Sequence, residues 1–293
     1  MMDEHKMLSA AIESLDGQIA DAVRGAAALS GGRVQEIRLN REGRVRIVVF
    51  GRVIFVNVPC SPDAFDRTLR RLCGNSLYSH ADTIRDGYIS TADGLRVGVC
   101  GRAVLEGGAI VRVCDITSLC IRIPIRIPGA ADELLPLILR DGGVRSMLVW
   151  SPPGVGKTTI LRELAARLCE VDRALRCAVV DSRCEIACGL DVGALDVLRG
   201  YPRAAGMEIA VRTMAPQIVI CDEIAGDADA DAVLSCAASG TAVIATAHAA
   251  SRADLLRKAP LRRLAEAHVF PSFVGLRRDA DKISFDLFKE NGE

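Results

Sequence analysis

Hydrophobic and polar positions alternate in two different ways along this chain, and the change comes near residue 125. Before it, a segment with helical spacing over residues 7–29 is followed by short β-type runs separated by glycine turns. This pattern predicts one N-terminal helix and then an antiparallel sheet with a further helix at 62–72. After it, short apolar runs alternate with helical patterns, which is typical of a parallel sheet covered on both faces.

We therefore predict an α/β protein with a smaller α+β domain at residues 1–125 and a second domain at residues 126–293. The Pro/Gly-containing segment 125–129 marks the boundary. The predicted parallel strands of the second domain are Met147–Trp150, Cys177–Val180, Ile218–Cys221 and Ala242–Ala245. Two final apolar runs, 269–276 and 283–288, predict a hairpin or paired edge strands.

The most informative stretch, Ser151–Thr159, lies between a predicted strand and a predicted helix. Strand, glycine-containing loop and helix form the context of a phosphate-binding loop, in which backbone N–H groups and a helix N-terminus face an anion. Lys157 supplies a charge for the β- and γ-phosphates, and the hydroxyl of Thr158 is a ligand for Mg²⁺. The residues predicted to bind the nucleotide are Ser151, Pro152, Pro153, Gly154, Val155, Gly156, Lys157, Thr158 and Thr159. Ser151 stands where the usual motif has glycine.

Acidic residues follow two other predicted strands. Asp222 and Glu223 end the run that begins at Gln217. We predict that Asp222 holds Mg²⁺, directly or through water, while Glu223 polarises the attacking water. Asp181 and Glu185 follow the run that ends at Val180. Ligands bind at the carboxyl ends of parallel strands, so these two acids could face the γ-phosphate or its water. The alternative is that Asp181 is an N-cap residue and Glu185 an acid of the first turn that follows.

A histidine and an arginine complete the predicted site. The run that begins at Thr241 ends in Thr246-Ala247-His248, and an imidazole at a fourth strand end can sense the γ-phosphate by a hydrogen bond. Phosphoryl transfer commonly needs a cation on the γ-phosphate, in cis or from a neighbouring subunit. Among the arginines that precede the acidic strand, Arg199, Arg203 and Arg212, we predict that Arg212 has this role.

Composition narrows the function classes. Lys+Arg and Asp+Glu are equal at 37 each and aromatic residues make up 4%, which argues against nucleic acid as a partner. The 11 cysteines include no C-x-x-C pair, so neither a zinc site nor a redox pair is indicated, and a reducing cytosol is expected. No signal-peptide layout or bilayer-length apolar run occurs, so we expect a cytoplasmic protein that reaches membranes through partners.

These strand ends resemble the secretion-ATPase branch of the RecA-like P-loop proteins, the motors of type II secretion, type IV pili and type IV secretion. The chain is more similar still to the stage III sporulation protein AA family. The segments that carry this similarity are Glu36–Leu39, Cys100–Val104, Ser151–Thr159, Met207–Arg212, Cys221–Ile224 and Thr246–His248. The resemblance implies a RecA-like P-loop ATPase domain, preceded by a smaller α+β domain, that uses ATP and Mg²⁺.

The resemblance also implies a cellular setting. It indicates a cytoplasmic ATPase of the mother cell that works at a membrane-protein complex, a secretion-like channel between mother cell and forespore. Motors of this type are usually hexameric rings that hold nucleotide between their two domains and neighbouring subunits. The predicted function is therefore an ATP-hydrolysing motor that passes work to a membrane-embedded partner.

This chain departs from the secretion motors at two places. The motors usually carry Gly-Glu where it has Asp222-Glu223, and Glu-Asp-Pro where it has Asp181-Ser182-Arg183. These departures leave open whether Glu223 or Glu185 acts on water. Two alternative functions also stay open, a RecA-like ATPase that binds nucleic acid and a slow nucleotide-dependent switch.

Overall fold

The structure is a computed structural model that describes residues 2–31, 33–124, 127–140, 142–171, 175–190, 193, 195–279 and 282–289. The chain divides into two compact units, Met1–Ile125 and Arg126–Glu293. No helix in the described ranges combines the length and apolar character that crossing a membrane requires.

The first unit combines four helices with an antiparallel sheet. Its helices are α1 (Met2–Glu13), α2 (Gly17–Leu29), α3 (Pro62–Leu72) and α4 (Ala81–Arg85). Its strands are β1 (Val34–Asn40), β2 (Arg44–Val49), β3 (Arg52–Pro59), β4 (Tyr88–Ser90), β5 (Arg96–Glu106) and β6 (Ala109–Arg122). The strand order is β3-β2-β1-β6-β5-β4, so β3 and β4 are the edge strands.

The predicted single helix over residues 7–29 is wrong, because the helix is interrupted between Glu13, which ends α1, and Gly17, which begins α2. Asp16 has extended backbone there, and its N–H donates to the Thr68 hydroxyl at 3.0 Å. Its carboxylate accepts from Arg67 Nε at 2.7 Å, a pairing that lowers the pKa of Asp16. Both partners lie on α3, so a contact distant in sequence fixes a break that helical spacing alone does not reveal.

The strand β6 joins two runs that the pattern separates, 109–113 and 118–123. Asp115 adopts a left-handed backbone at φ 47° within it, and the pairing with β5 shifts register between Cys100 and Arg102. Gly101 is required at that shift, since a Cβ there meets the carbonyl oxygen of Cys114 at 2.6 Å. An irregularity of this kind interrupts the period of two without ending the strand.

The second unit is a sheet of mostly parallel strands. Its strands are β7 (Leu139–Arg140), β8 (Gly143–Val144), β9 (Met147–Ser151), β10 (Cys177–Asp181), β11 (Leu195–Arg199), β12 (Ile218–Glu223), β13 (Ala242–His248), β14 (Ser272–Asp279) and β15 (Lys282–Lys289). Its helices are α5 (Leu135–Ile138), α6 (Lys157–Val171), α7 (Arg203–Met214), α8 (Asp227–Ala238), α9 (Arg252–Arg257) and α10 (Ala259–Glu266).

The main sheet has the order β11-β10-β12-β13-β9-β14-β15, and every neighbouring pair is parallel except β14 with β15. Successive buried side chains of each central strand enter opposite cores. Val149 and Ile220 pack in the core that includes α6, whereas Leu148 and Val219 pack in the core that includes α7 and α8. The predicted parallel sheet covered on both faces is confirmed.

The strand β11 is absent from the prediction. Its buried positions, Leu195 and Leu198, alternate with the exposed Asp196 and Arg199, so it lacks a continuous apolar run. Among the described strands it pairs with β10 alone, so it is an edge strand, and an edge needs less apolar surface than a central strand. The predicted terminal pair of strands is present as the β14–β15 hairpin.

Candidate nucleotide site

The predicted phosphate-binding loop connects β9 to α6, and its backbone is shaped by two glycines. Gly154 has φ 79° and Gly156 has φ 125°, conformations that side chains with a Cβ rarely adopt. A Cβ on Gly156 also meets Cδ1 of Ile283 at 2.9 Å. The first turn of α6 holds no acidic residue, and its first N–H groups have no acceptor within the helix. This helix end is therefore suited to an anion.

Ser151, the departure from the usual motif, is the last residue of β9 and is buried. A strand residue needs no positive φ, so the conformational freedom of glycine is not required at this position. Its hydroxyl donates to the carbonyl oxygen of Pro152 at 2.8 Å, and its own carbonyl oxygen accepts from the N–H of Ala249 at 3.2 Å. The serine thus ties the loop entrance to the end of β13.

Lys157 is buried at the start of α6 and has several acceptors around its ammonium group. Its Nζ lies 2.8 Å from His248 Nδ1, 3.1 Å from the carbonyl oxygens of Ser151 and Pro152, and 3.3 Å from the Ser151 hydroxyl. Burial lowers the pKa of Lys157 to about 8; the charge of Glu223 opposes this shift and that of Lys258 adds to it.

His248 connects the lysine to an acid. Its Nε2 lies 3.0 Å from Glu223 Oε2. A charged lysine only donates, so Nδ1 accepts from Lys157 and the ring proton stands on Nε2, facing the carboxylate. Strand register explains the meeting, because His248 is opposite Ser151 and Glu223 is opposite Thr246. The structure thus brings three predicted site residues together in the order Lys157–His248–Glu223.

Asp222 faces a different neighbour from Glu223, as expected for adjacent residues of a strand. Its Oδ1 accepts from Arg203 Nε at 2.8 Å, and Arg203 also contacts Asp229 Oδ2 at 2.7 Å. Burial raises the pKa of Asp222, and the Arg203 guanidinium opposes that shift. In the structure the Asp222 carboxylate thus pairs with Arg203, and its predicted role in holding Mg²⁺ stays a prediction.

Asp181 is fully buried, and three backbone N–H groups occupy its carboxylate. Oδ1 accepts from Glu185 at 2.8 Å, and Oδ2 accepts from Ile186 at 3.0 Å and from Ala187 at 2.9 Å. These contacts are those of the capping interpretation, and the alternative role of Asp181 at the γ-phosphate stays a prediction. Glu185 is half-buried in the turn so formed, and Arg162 of α6 donates to its carbonyl oxygen.

The three candidate arginines have different surroundings. Arg212 is exposed in the last turn of α7, and Arg199 is exposed at the end of β11. Arg203, at the first position of α7, is the one inserted between two carboxylates. Sequence spacing holds no signal for that contact, because Asp222 and Asp229 come after Arg203 on separate elements.

Two further contacts were missed from the sequence. Lys258, between α9 and α10, donates through Nζ to the carbonyl oxygen of His248. Ile283 of β15 lies against Gly156, so the terminal hairpin covers part of the loop between β9 and α6. Lys258 and Ile283 both follow His248 in the sequence, and neither belongs to a recognisable motif.

Solved structures share this fold. The ATPase DotB of Legionella pneumophila aligns with a TM-score of 0.65 and 15% identity over 94% of this chain and 81% of DotB. The pilus retraction motor PilT with bound ADP aligns with a TM-score of 0.65 and 15% identity over 92% of this chain and 82% of PilT. These similarities confirm the predicted RecA-like fold of the secretion and pilus ATPases.

Curated proteins give closer sequence similarity. Protein SEEDLING PLASTID DEVELOPMENT 1 of Arabidopsis thaliana is 32% identical over 165 residues, which are 52% of this chain and 23% of that protein. Stage III sporulation protein AA of Bacillus subtilis (strain 168) is 32% identical over 256 residues, 84% of this chain and 83% of that protein. The family model for sporulation stage III, protein AA, matches residues 12–289, and the chain therefore belongs to that family.

Proposed function

We propose that this protein binds MgATP at Ser151–Thr159 and hydrolyses it to ADP and phosphate. The observation that carries the proposal is the contact chain Lys157–His248–Glu223 beside the N-terminus of α6. DotB is an ATPase and PilT was solved with ADP, which supports an adenine nucleotide for the shared fold.

Lys157 exchanges partners when phosphate arrives. In the structure its Nζ contacts neutral acceptors, two carbonyl oxygens, a hydroxyl and an imidazole nitrogen. Phosphate oxygens are charged and make stronger hydrogen bonds to an ammonium group than these neutral atoms do. Lys157 then turns to the phosphates, and His248 Nδ1 is left to bond to the γ-phosphate or to water. Nucleotide binding is thereby coupled to the His248–Glu223 pair.

Glu223 is the acid we assign to water activation, in preference to Glu185. It ends a central strand next to His248, whose Nε2–H holds the carboxylate in place. The water oxygen forms a bond to the γ-phosphorus while the bond to the β–γ bridging oxygen breaks and its electron pair leaves with ADP. The water proton passes to Glu223 or to the departing phosphate.

Mg²⁺ fits this site as a partner of the nucleotide. Thr158 lies in the first turn of α6, and Mg²⁺ in such sites is held by few protein ligands together with phosphates and waters. Within the described ranges no cluster of three or more His, Cys, Asp or Glu side chains could hold a metal. The ion supplies charge that stabilises the phosphates, and Thr158 is the protein ligand we assign to it.

The test is ATP turnover by the full chain and by two variants. We expect Lys157→Ala to lose nucleotide binding and Glu223→Gln to keep binding but lose turnover. Lys6→Ala, which removes an exposed lysine of α1, is the matched control and leaves both unchanged. Wild-type turnover by Lys157→Ala would mean that the loop assignment is wrong. Single-turnover measurements separate a motor from a slow switch.

We further propose that the protein acts as a motor in a homo-oligomeric ring, with six copies as the expected number. It has the fold of a pilus retraction motor, and Arg212 is an exposed cation on α7 that a neighbouring copy's nucleotide could use. The work passes to a membrane-protein complex of sporulation, reached from the mother-cell cytoplasm. The family of the chain supports that setting.

Sedimentation with MgATP and the Glu223→Gln variant tests the ring. We expect a larger species with nucleotide than without it. Arg212→Ala should keep that assembly and lose turnover, whereas Arg24→Ala on the first unit, which is also exposed, should not affect either. A single monomeric species at saturating MgATP would contradict the ring.

A further inference from the structure

The hairpin between β2 and β3 ends in an apolar tip, Phe50–Phe55. Phe50 is 64% exposed, Val53 is 55% exposed and Phe55 is 61% exposed, and Ile54 between them is exposed as well. β3 is the edge strand of its sheet, paired only with β2 among the described strands. Monomeric proteins seldom leave bulky apolar side chains clustered in this way unless a partner covers them.

The tip is exposed on both of its faces. Val48 pairs with Val53 and Ile47 pairs with Ile54, so Val53 and Ile54 stand on opposite faces of the hairpin. An added protein strand covers the edge of β3 and leaves these faces open. Covering the β3 edge and both faces together requires an environment that encloses the whole tip.

The turn holds Phe50 in an unfavourable backbone. Phe50 has φ 50° and Gly51 has φ 73°, the positive pair of a two-residue hairpin turn, where asparagine or glycine is preferred at the first position. The turn is fixed from β1, since Gln35 Oε1 accepts from the N–H of Gly51 at 2.7 Å. An aromatic residue at this strained and exposed position contributes little to the fold, which points to a role in binding.

The charged side chain of the tip segment itself is positive. No Asp or Glu occurs between Gly43 and Pro62 in the sequence, whereas Arg52 lies within the tip. Arg33, also exposed, places its guanidinium 5.7 Å from the centre of the Phe50 ring. Leu29, which ends α2 four residues before Arg33 in the sequence, is also an exposed apolar side chain, at 93%.

We propose that this hairpin tip inserts into the head-group layer of a bilayer that contains anionic phospholipid. Phe50, Val53 and Phe55 enter the boundary of the acyl chains, while Arg33 and Arg52 contact lipid phosphates. Apolar insertion and basic charge are the two contributions that reversible membrane binding needs. A second copy of the chain fits less well, because pairing two tips brings their arginines together.

Vesicle flotation of the full chain tests this directly. We expect the protein to float with vesicles of equal parts phosphatidylglycerol and phosphatidylcholine, but not with phosphatidylcholine alone, and to bind less at high salt. The double variant Phe50→Ser/Phe55→Ser should bind the anionic vesicles at least about tenfold more weakly. Arg33→Gln/Arg52→Gln should weaken binding similarly.

The opposite end of the same sheet supplies a matched control. The β5–β6 hairpin pairs Leu105 with Ile110, both well exposed, and its tip lies beyond the end of β1 rather than before its start. Leu105→Ser/Ile110→Ser removes comparable apolar surface and should leave flotation unchanged. Circular dichroism and thermal melting confirm that all variants are folded, and their ATP turnover without vesicles should equal that of the wild type.

A tryptophan probe reports insertion at the tip itself. Phe50→Trp should show a blue shift of emission on adding anionic vesicles, against the background of the buried Trp150. Absence of flotation by the wild type, equal flotation by the Phe50/Phe55 variant, or no spectral shift would overturn the proposal. Lipid-independent self-association that the Phe50/Phe55 variant abolishes would instead assign the tip to a second copy.

Discussion

The strand ends at Asp181 and at Glu223 look alike in sequence, since each is an acid after a buried apolar run, yet the structure uses them differently. Asp181 accepts three backbone N–H groups of its own turn and is closed to solvent. Glu223 contacts a histidine that in turn contacts Lys157, so its neighbours are side chains rather than backbone. An acid bonded to backbone shapes a loop, whereas an acid bonded to mobile side chains is available for chemistry.

The strongest test of this difference is the neutralisation of Glu223. We expect Glu223→Gln to lower ATP turnover by roughly 10²–10⁴-fold, the range for a lost general base, with little change in nucleotide affinity. Asp222→Asn, on the adjacent residue, should lower turnover far less, because its carboxylate faces Arg203. Equal losses of turnover in Glu223→Gln and Asp222→Asn would mean that Glu223 has no special role in water activation.

The converse test neutralises Asp181. We expect Asp181→Asn to lower the free energy of unfolding by about 1–3 kcal/mol, because an amide cannot accept all three buried N–H groups. Turnover of the folded fraction should change by much less than in Glu223→Gln. Denaturant unfolding measures the loss, and Asp196→Asn, an exposed acid on β11, is the control. Stable but inactive Asp181→Asn protein would place Asp181 in the chemistry.

The pH dependence of nucleotide binding sharpens the account of Lys157. Its pKa is lowered to about 8, chiefly by burial, and phosphate oxygens favour the charged form. Binding therefore takes up a proton above pH 8, and affinity for MgADP should fall with rising pH by up to about tenfold per unit. Lys157→Arg stays charged and should remove the dependence; isothermal titration in two buffers measures the proton uptake.

Lys157 also affects stability, with the opposite sign. Its folded pKa lies below the ordinary value of 10.5, so between about pH 8 and 10.5 the unfolded chain binds more protons at this residue. The contribution of Lys157 to the free energy of unfolding should rise over that window and be constant below it. Denaturant midpoints of the wild type and Lys157→Met, compared across pH, report this difference.

The smallest expected effect concerns nucleic acid. Charge is balanced over the chain, and aromatic residues are scarce at 4%. We expect single-stranded DNA or RNA to leave ATP turnover unchanged within error at low salt. A salt-sensitive stimulation would favour the nucleic-acid-binding alternative. It would change the function assigned to the protein but not the different contacts of Asp181 and Glu223.

Much of the second unit could be predicted because its signals are local. The apolar runs at β9, β10, β12 and β13 exceed what a surface strand tolerates, and the glycines of the loop at 151–159 act within a few residues of Lys157. The edge strand β11 and the break at Asp16 were missed because each depends on neighbours distant in sequence. The residue types of these two segments are compatible with more than one local structure.

By itself, the sequence determined that a glycine-containing loop with the pattern of a phosphate-binding loop lies between a strand and a helix, and that acids and a histidine follow other buried strands. Those conclusions rest on spacing and on backbone requirements of glycine, which are properties of short segments. Tertiary structure decided which partner each acid contacts. Strand register placed Glu223 beside His248, and pleating turned the adjacent Asp222 toward Arg203, so that two neighbouring carboxylates have different partners.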